Sequence, residues 1–295
     1  MFRIGYNTNG LAHHRLRDAV EMLAGLGYGG VALTPDVGEL DLYDLDPARV
    51  RALRDQLRER DLAVAVETGA RYVLEPLRKH RPNLMDPSVR GRERRVDHYR
   101  RSIDLAADLG APLVSIWSGA AYEMPAGDAP DVDPAVAGPL WDRLAQGVRT
   151  VLDHARDRGV RIGFEPEPGM YVERPAGYLE LVRRLGDRGS ELGLTLDLGH
   201  LVVTGDVPVG ARIRALAPHL VHVHLDDARV GVHEHLQLGT GELDLPGALS
   251  ALQAIGYRGM AAVELSRDSH QAPEAARTAL DRIRAALACT TRTCG

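Results

Sequence analysis

The chain has 295 residues, 44% of them hydrophobic and 26% charged, the balance of a water-soluble globular protein. That length buries a large core, so folding calls for neither a disulfide framework nor a structural metal. The net charge of −5 argues against a partner held through phosphate neutralisation, so no nucleic-acid partner is expected. The N-terminal MFRIGYNTNG lacks the charged-then-apolar pattern of a secretory leader, and no apolar run approaches roughly 18 residues; the expectation is a cytoplasmic protein with no membrane partner.

Short apolar runs rich in β formers recur along the chain. In order they are FRIGY from Phe2, GVALT from Gly30, LAVAVE from Leu62, PLVSIW from Pro112, VRIGFE from Val160, LGLTLD from Leu192, LVHVHL from Leu220 and MAAVEL from Met260. Between them lie amphipathic helical patterns such as ERRVDHYRRSIDLAADLG, several ending in a glycine, as at Gly110 and Gly159, suited to a left-handed helix cap. Strand–helix alternation repeated this way predicts an α/β fold with a parallel sheet, closed into a single (β/α)8 TIM barrel over residues 1–288 with a polar tail at 289–295. An open doubly wound sheet is the alternative, but no G-x-G-x-x-G follows the first run. Cys289 and Cys294 both fall in the tail, away from any plausible site. Two long loops, 68–90 and 118–133, leave the carboxyl ends of the third and fourth runs, the face on which barrel active sites are built.

The chemistry concentrates at the ends of the last four runs, in Phe164-Glu165-Pro166-Glu167, Leu196-Asp197-Leu198-Gly199-His200, His222-Val223-His224-Leu225-Asp226-Asp227 and Val263-Glu264-Leu265-Ser266. Taken singly, Glu165 and Glu264 read as rim salt-bridge partners, Asp197 as a helix cap, and His222 or His224 as a core histidine. Taken together, three carboxylates and an imidazole converging on one face of a barrel call for a cation to neutralise them. The mixed O/N set Glu165, Asp197, His224 and Glu264 suits Mn²⁺, Mg²⁺, Co²⁺ or Zn²⁺. His222 and His224 share a face of their strand at different depths, and His224, nearer the carboxyl end, is the expected ligand.

These motifs, with IGFEPEPG, LDLGH, HVHLDD, VELS and the run LGTGELDLPGALSALQAIGYRG, resemble the xylose isomerase-like TIM-barrel superfamily, the sugar phosphate isomerase/epimerase and AP endonuclease family 2 group, over residues 2–287. The resemblance implies the same four ligands on one divalent metal. Its ketose 3-epimerases imply a substrate-binding role for His200 and place an arginine near Arg229. Its endonuclease IV branch implies a further zinc at His200, His233 and His235, although His233 stands where that branch has an aspartate; the imidazoles serve equally as substrate contacts or loop structure. Glu67 and Trp117-Ser118-Gly119 replace histidines of that branch, so the full nuclease cluster is absent.

The loop after the third run holds Arg71, Arg78, Lys79, His80 and Arg81, either a solvated face or a source of Arg71 or Lys79 for a substrate phosphate or carboxylate. Trp117 is either an apolar wall against a sugar ring or a packing residue, and Glu67 is a reserve acid/base or substrate contact. The leading expectation is an isomerase or epimerase of a sugar, sugar phosphate or cyclitol working through a metal-stabilised enediolate, with Glu165 and Glu264 moving protons and His200 steadying the oxyanion; a hydride shift is the variant mechanism. A dehydratase of an inosose- or dehydroshikimate-like substrate and a non-catalytic metal- or metabolite-binding barrel are the alternatives. A small polyhydroxy substrate is the expected partner, and assembly into a homo-oligomer stays open.

Overall fold

Every one of the apolar runs forms a strand. A computed structural model describes residues 2–36, 40–121 and 134–292. In chain order the strands are β1 (Arg3–Asn7), β2 (Gly30–Leu33), β3 (Ala63–Glu67), β4 (Leu113–Trp117), β5 (Arg161–Glu165), β6 (Leu192–Asp197), β7 (Leu220–Leu225), β8 (Asp227–Arg229), β9 (Val232–Leu236) and β10 (Met260–Val263). Eight of them close a parallel barrel in the order β1-β10-β7-β6-β5-β4-β3-β2, with helices interleaved along the chain. The fold is the (β/α)8 barrel that the alternation predicts. Strands β4 and β6 are buried at every position, as parallel strands covered on both faces must be, which is why they read as unbroken apolar runs.

The principal helices are α1 (Leu16–Leu26), α2 (Pro47–Glu59), α3 (Val89–Leu109), α4 (Pro134–Arg158), α5 (Pro175–Leu185), α6 (Leu198–Val203), α7 (Val209–Leu216), α8 (Leu245–Ala254) and α9 (Ala272–Arg292). Helix α3 shows how local sequence sets the boundaries. The Ser88 hydroxyl accepts from Gly91 N, and Gly110, at φ 76°, lets its amide close on the carbonyls of Ala106 and Ala107. Helix α9 continues through Arg292, into the segment expected as a tail. Cys289 lies on it, exposed, and Cys294 lies outside the described residues. Among the described residues no helix is long and apolar enough to cross a membrane.

By internal contacts the chain divides into two compact units. One comprises Met1–Leu33, Gln56–Ala63 and Thr195–Gly295. In it β10 pairs with both β1 and β7, and β1 pairs with β2. The segment after β7, expected as a loop, is here a two-stranded antiparallel hairpin of β8 and β9.

The other unit comprises Thr34–Asp55 and Val64–Leu194. It holds the pairs β3–β4, β4–β5 and β5–β6 and the long loop 68–90. That loop is clamped by guanidinium groups on backbone carbonyls. From α3, Arg92 donates to Asp86 O and Pro87 O, Arg94 to Leu74 O, and the fully buried Arg95 to Pro82 O and His80 O. From the loop itself, Arg81 donates to Ala120 O and Ala121 O. Much of the local basic charge therefore holds chain in place. Of the second long loop, 118–133, residues 122–133 lie outside the described residues.

Candidate metal centre

Strand ends deliver the first set of side chains. β6 ends in Asp197, which is also the cap of α6: its Oδ1 accepts from His200 N at 2.7 Å. Its Oδ2 is buried and accepts no hydrogen bond among the described residues, although it lies 3.7 Å from His224 Nδ1 and 3.9 Å from His200 Nε2. The two readings of Asp197, cap and ligand, thus fall on different oxygens. On β7, His224 is 1% exposed, and its Nδ1 is 2.9 Å from Glu264 Oε2, just past the end of β10. Ligand atoms of Asp197, His224 and Glu264 lie within 4.8 Å of one another.

The electrostatics suit a cation. Burial would raise the Asp197 carboxyl, but the charges of His200, His235 and His224 outweigh it and hold the group below the ordinary range. Burial would likewise raise Glu264, and His224 overrides it, holding Glu264 well below. A protonated imidazole would reconcile these buried carboxylates, and so would a divalent ion with both oxygens and the nitrogen as ligands. The residues present fit such an ion.

A second group lies on the hairpin and α6. His200, His233 and His235 bring one ring nitrogen each within 4.8 Å of the others. His200 Nε2 is 3.2 Å from His233 Nε2, and burial pushes His200 down to about 4. His235 Nδ1 lies 2.7 Å from Asp226 Oδ2. Burial opposes a charge on His235, but Asp226 wins and lifts it to about 10. Burial, with Asp197 nearby, also pushes Asp226 up. Asp226 comes this close to α6 because residue 199 is glycine: a Cβ there would stand 2.3 Å from Asp226 Oδ1. Asp227 does different work. Its buried carboxylate accepts from the amides of Gly239, Gly241, Leu243 and Ala228, so the LGTGEL motif folds around it.

In the other unit, β3 ends in Glu67, β4 in Trp117 and β5 in Glu165, all at most 7% exposed, with Trp117 in register beside Glu165. The indole N–H of Trp117 donates to Thr68 O, with the His80 ring at 4.8 Å and the Arg95 guanidinium at 5.2 Å. Arg71 pairs with Asp36 at 3.7 Å, Arg78 with Glu75 at 3.4 Å, and Lys79 is exposed. In the hairpin, Arg229 is exposed and donates to Thr240 O.

A residue absent from the sequence expectations completes the first group. Asn9, in the short 3-10 turn after β1, donates from Nδ2 to Glu264 Oε1 at 2.7 Å. The partners are 255 positions apart, and no local pattern marks them.

Comparison with known proteins agrees with this architecture. The chain is 30% identical over 287 residues to a 3-dehydroshikimate dehydratase of Pseudomonas aeruginosa, covering 92% of this chain and 39% of that protein. It is 23% identical over 198 residues to an inosose dehydratase of Klebsiella pneumoniae, covering 60% of this chain and 65% of that one. The chain thus spans well under half the length of the first relative and about two thirds of the second. Among solved structures, a D-allulose 3-epimerase from Methylomonas sp. superposes with a TM-score of 0.74 at 17% identity, covering 97% of this chain and 98% of that one, a likeness of fold. Residues 20–286 match the sequence profile of the xylose isomerase-like TIM barrel, and the chain belongs to that family.

Proposed function

We propose that the chain is a divalent-metal-dependent isomerase or epimerase of a small polyhydroxy carbonyl compound, a sugar or cyclitol. The observation that carries the reading is the convergence of Asp197, His224 and Glu264 around a buried Asp197 oxygen that accepts no hydrogen bond. Glu165 is the fourth ligand in this reading: it ends β5, the strand next to β6, whose end carries Asp197. Mn²⁺, Co²⁺, Mg²⁺ or Zn²⁺ suits these oxygen and nitrogen ligands. A bound cation supplies Lewis-acid polarisation of the substrate carbonyl and its neighbouring hydroxyl.

The chain's own groups divide the remaining work. Glu165 takes the proton from the hydroxyl-bearing carbon beside the carbonyl, and Glu264, whose Oε1 accepts from Asn9 and whose Oε2 faces His224, is the acid/base partner that returns one. His200, kept neutral by burial, donates a hydrogen bond to the oxygen on which charge develops. Alternatively the three-histidine group is a candidate for a second ion, zinc, with His200 then a ligand instead of the donor and Asp226 behind His235 as the outer carboxylate. A Zn²⁺ titration in which the double variant His233→Ala/His235→Ala keeps every binding phase of the wild type would contradict that second site.

One observation favours a second reading, dehydration: several of the sequence relatives are named dehydratases, while another is named a xylose isomerase. The two separate on product. In D₂O, with ketoses and cyclitols as candidate substrates, isomerisation or epimerisation gives an isobaric product carrying deuterium at the exchanged carbon. An ultraviolet-absorbing enone supports dehydration instead, and metal retention without turnover across the panel would overturn both.

A further inference from the structure

We infer that Asn9 is a positioning residue for the metal centre, setting which oxygen of Glu264 faces the cation. The inference rests on the proposed metal site and deepens it. Glu264 follows β10, and its carboxylate is held at both ends: Oε2 lies 2.9 Å from His224 Nδ1, and Oε1 accepts from Asn9 Nδ2 at 2.7 Å. A glutamate has three side-chain torsions, so a buried carboxylate with one anchor still rotates about the last of them, whereas two anchors fix its plane.

Asn9 is itself fixed through its backbone. Its N–H donates to Asn7 Oδ1 at 3.1 Å, and its carbonyl accepts from Ser269 Oγ at 3.3 Å. Its side chain is therefore free of any duty in shaping the turn. The orientation of the amide follows from the partner, because turning it over would set Oδ1 against a carboxylate oxygen. In the orientation present, Oδ1 is buried and accepts no hydrogen bond among the described residues. That uncompensated acceptor is a cost accepted to aim Nδ2 at Glu264.

The arrangement leaves Oε2 as the ligand oxygen and occupies Oε1 with a neutral donor. A charged donor at the same place would compete with the cation for Glu264; an amide holds the carboxylate without cancelling its charge. Outer partners of metal ligands of this kind are typically worth about 10–100-fold in metal affinity.

The test is a Co²⁺ titration of the full chain, followed by visible absorption, for the wild type, Asn9→Ala and Asn9→Leu. The leucine variant keeps the volume and loses the donor, and circular dichroism confirms the fold of each. The wild type is expected to bind with a distinct d–d spectrum, and both variants to bind about 10-fold more weakly or worse with altered band positions. Wild-type affinity and spectrum in the folded variants would overturn the positioning role while leaving the metal site standing. Weaker binding with an unchanged spectrum would also overturn it, since the ligand set would be undisturbed. A wild type that takes up no Co²⁺ would remove the metal reading, and this inference with it.

Discussion

At the scale of single residues, the site works by giving each oxygen of a carboxylate its own task. Asp197 spends Oδ1 on the cap of α6 and keeps Oδ2 for the centre, while Glu264 gives one oxygen to Asn9 and turns the other toward His224. A helix cap and a metal ligand are usually competing readings of one aspartate; a carboxylate has enough lone pairs for both. Glu264 has a donor on Oε1 and an imidazole beside Oε2, and in the proposed reaction Glu165 is the other carboxylate of the acid/base pair. Replacing Glu165 by Gln retains an oxygen ligand and removes the basic one. Turnover should drop about 10²–10⁴-fold with part of the metal retained, the ordinary contribution of a general base. A Glu165→Gln enzyme with wild-type turnover would make that carboxylate a ligand only and move attention to His200 and Glu67.

At the scale of elements, the hairpin and the clamped loop are held by backbone groups on buried side chains. Asp227 is 0% exposed and takes amides from Ala228, Gly239, Gly241 and Leu243. Asp227→Ala would strand those amides, and each hydrogen bond to a charged group is worth about 1.5–3 kcal/mol. A loss of at least about 3 kcal/mol in urea unfolding is expected; a change under about 0.5 kcal/mol, the range of an ordinary surface substitution, would contradict this account of the loop. Helix α3 carries a second elemental test. His98 is fully buried and neither ring nitrogen makes a hydrogen bond among the described residues. Burial first, then Arg95 and Arg101, push it from 6.5 down to about 3. Its folded form resists the proton that the unfolded chain accepts. Stability from this site is therefore complete above about 6.5 and drains away as pH falls toward about 3, by up to about 1.4 kcal/mol per pH unit. His98→Leu should unfold less steeply with acid between pH 6.5 and 4.5 than the wild type. Parallel acid profiles in urea titrations would show that this histidine is not a determinant.

At the scale of the whole molecule, what was legible in the sequence follows from which forces write locally. Barrel strands are apolar on both faces, so all the runs from FRIGY to MAAVEL stand out, and glycine caps such as Gly110 mark the helix ends. The candidate ligands at strand ends could be proposed for the same reason: the strand's end fixes where Asp197 and His224 stand. The hairpin was not legible, because β9 is Val-His-Glu-His-Leu, with its polar residues mixed into the apolar alternation. Nor was the arginine clamp, because its acceptors are carbonyls, which every residue has. Asn9 escaped because its partner is remote in sequence. All of this leaves one central claim, that the convergent carboxylates and His224 exist to hold a metal. The most direct measurement is elemental analysis of protein purified without chelator, wild type beside Asp197→Ala. The account predicts at least about one divalent ion per wild-type chain and its loss from the folded variant, because removing one partner of a closed ligand set removes most of the affinity. Wild-type metal content in a folded Asp197→Ala protein would contradict it.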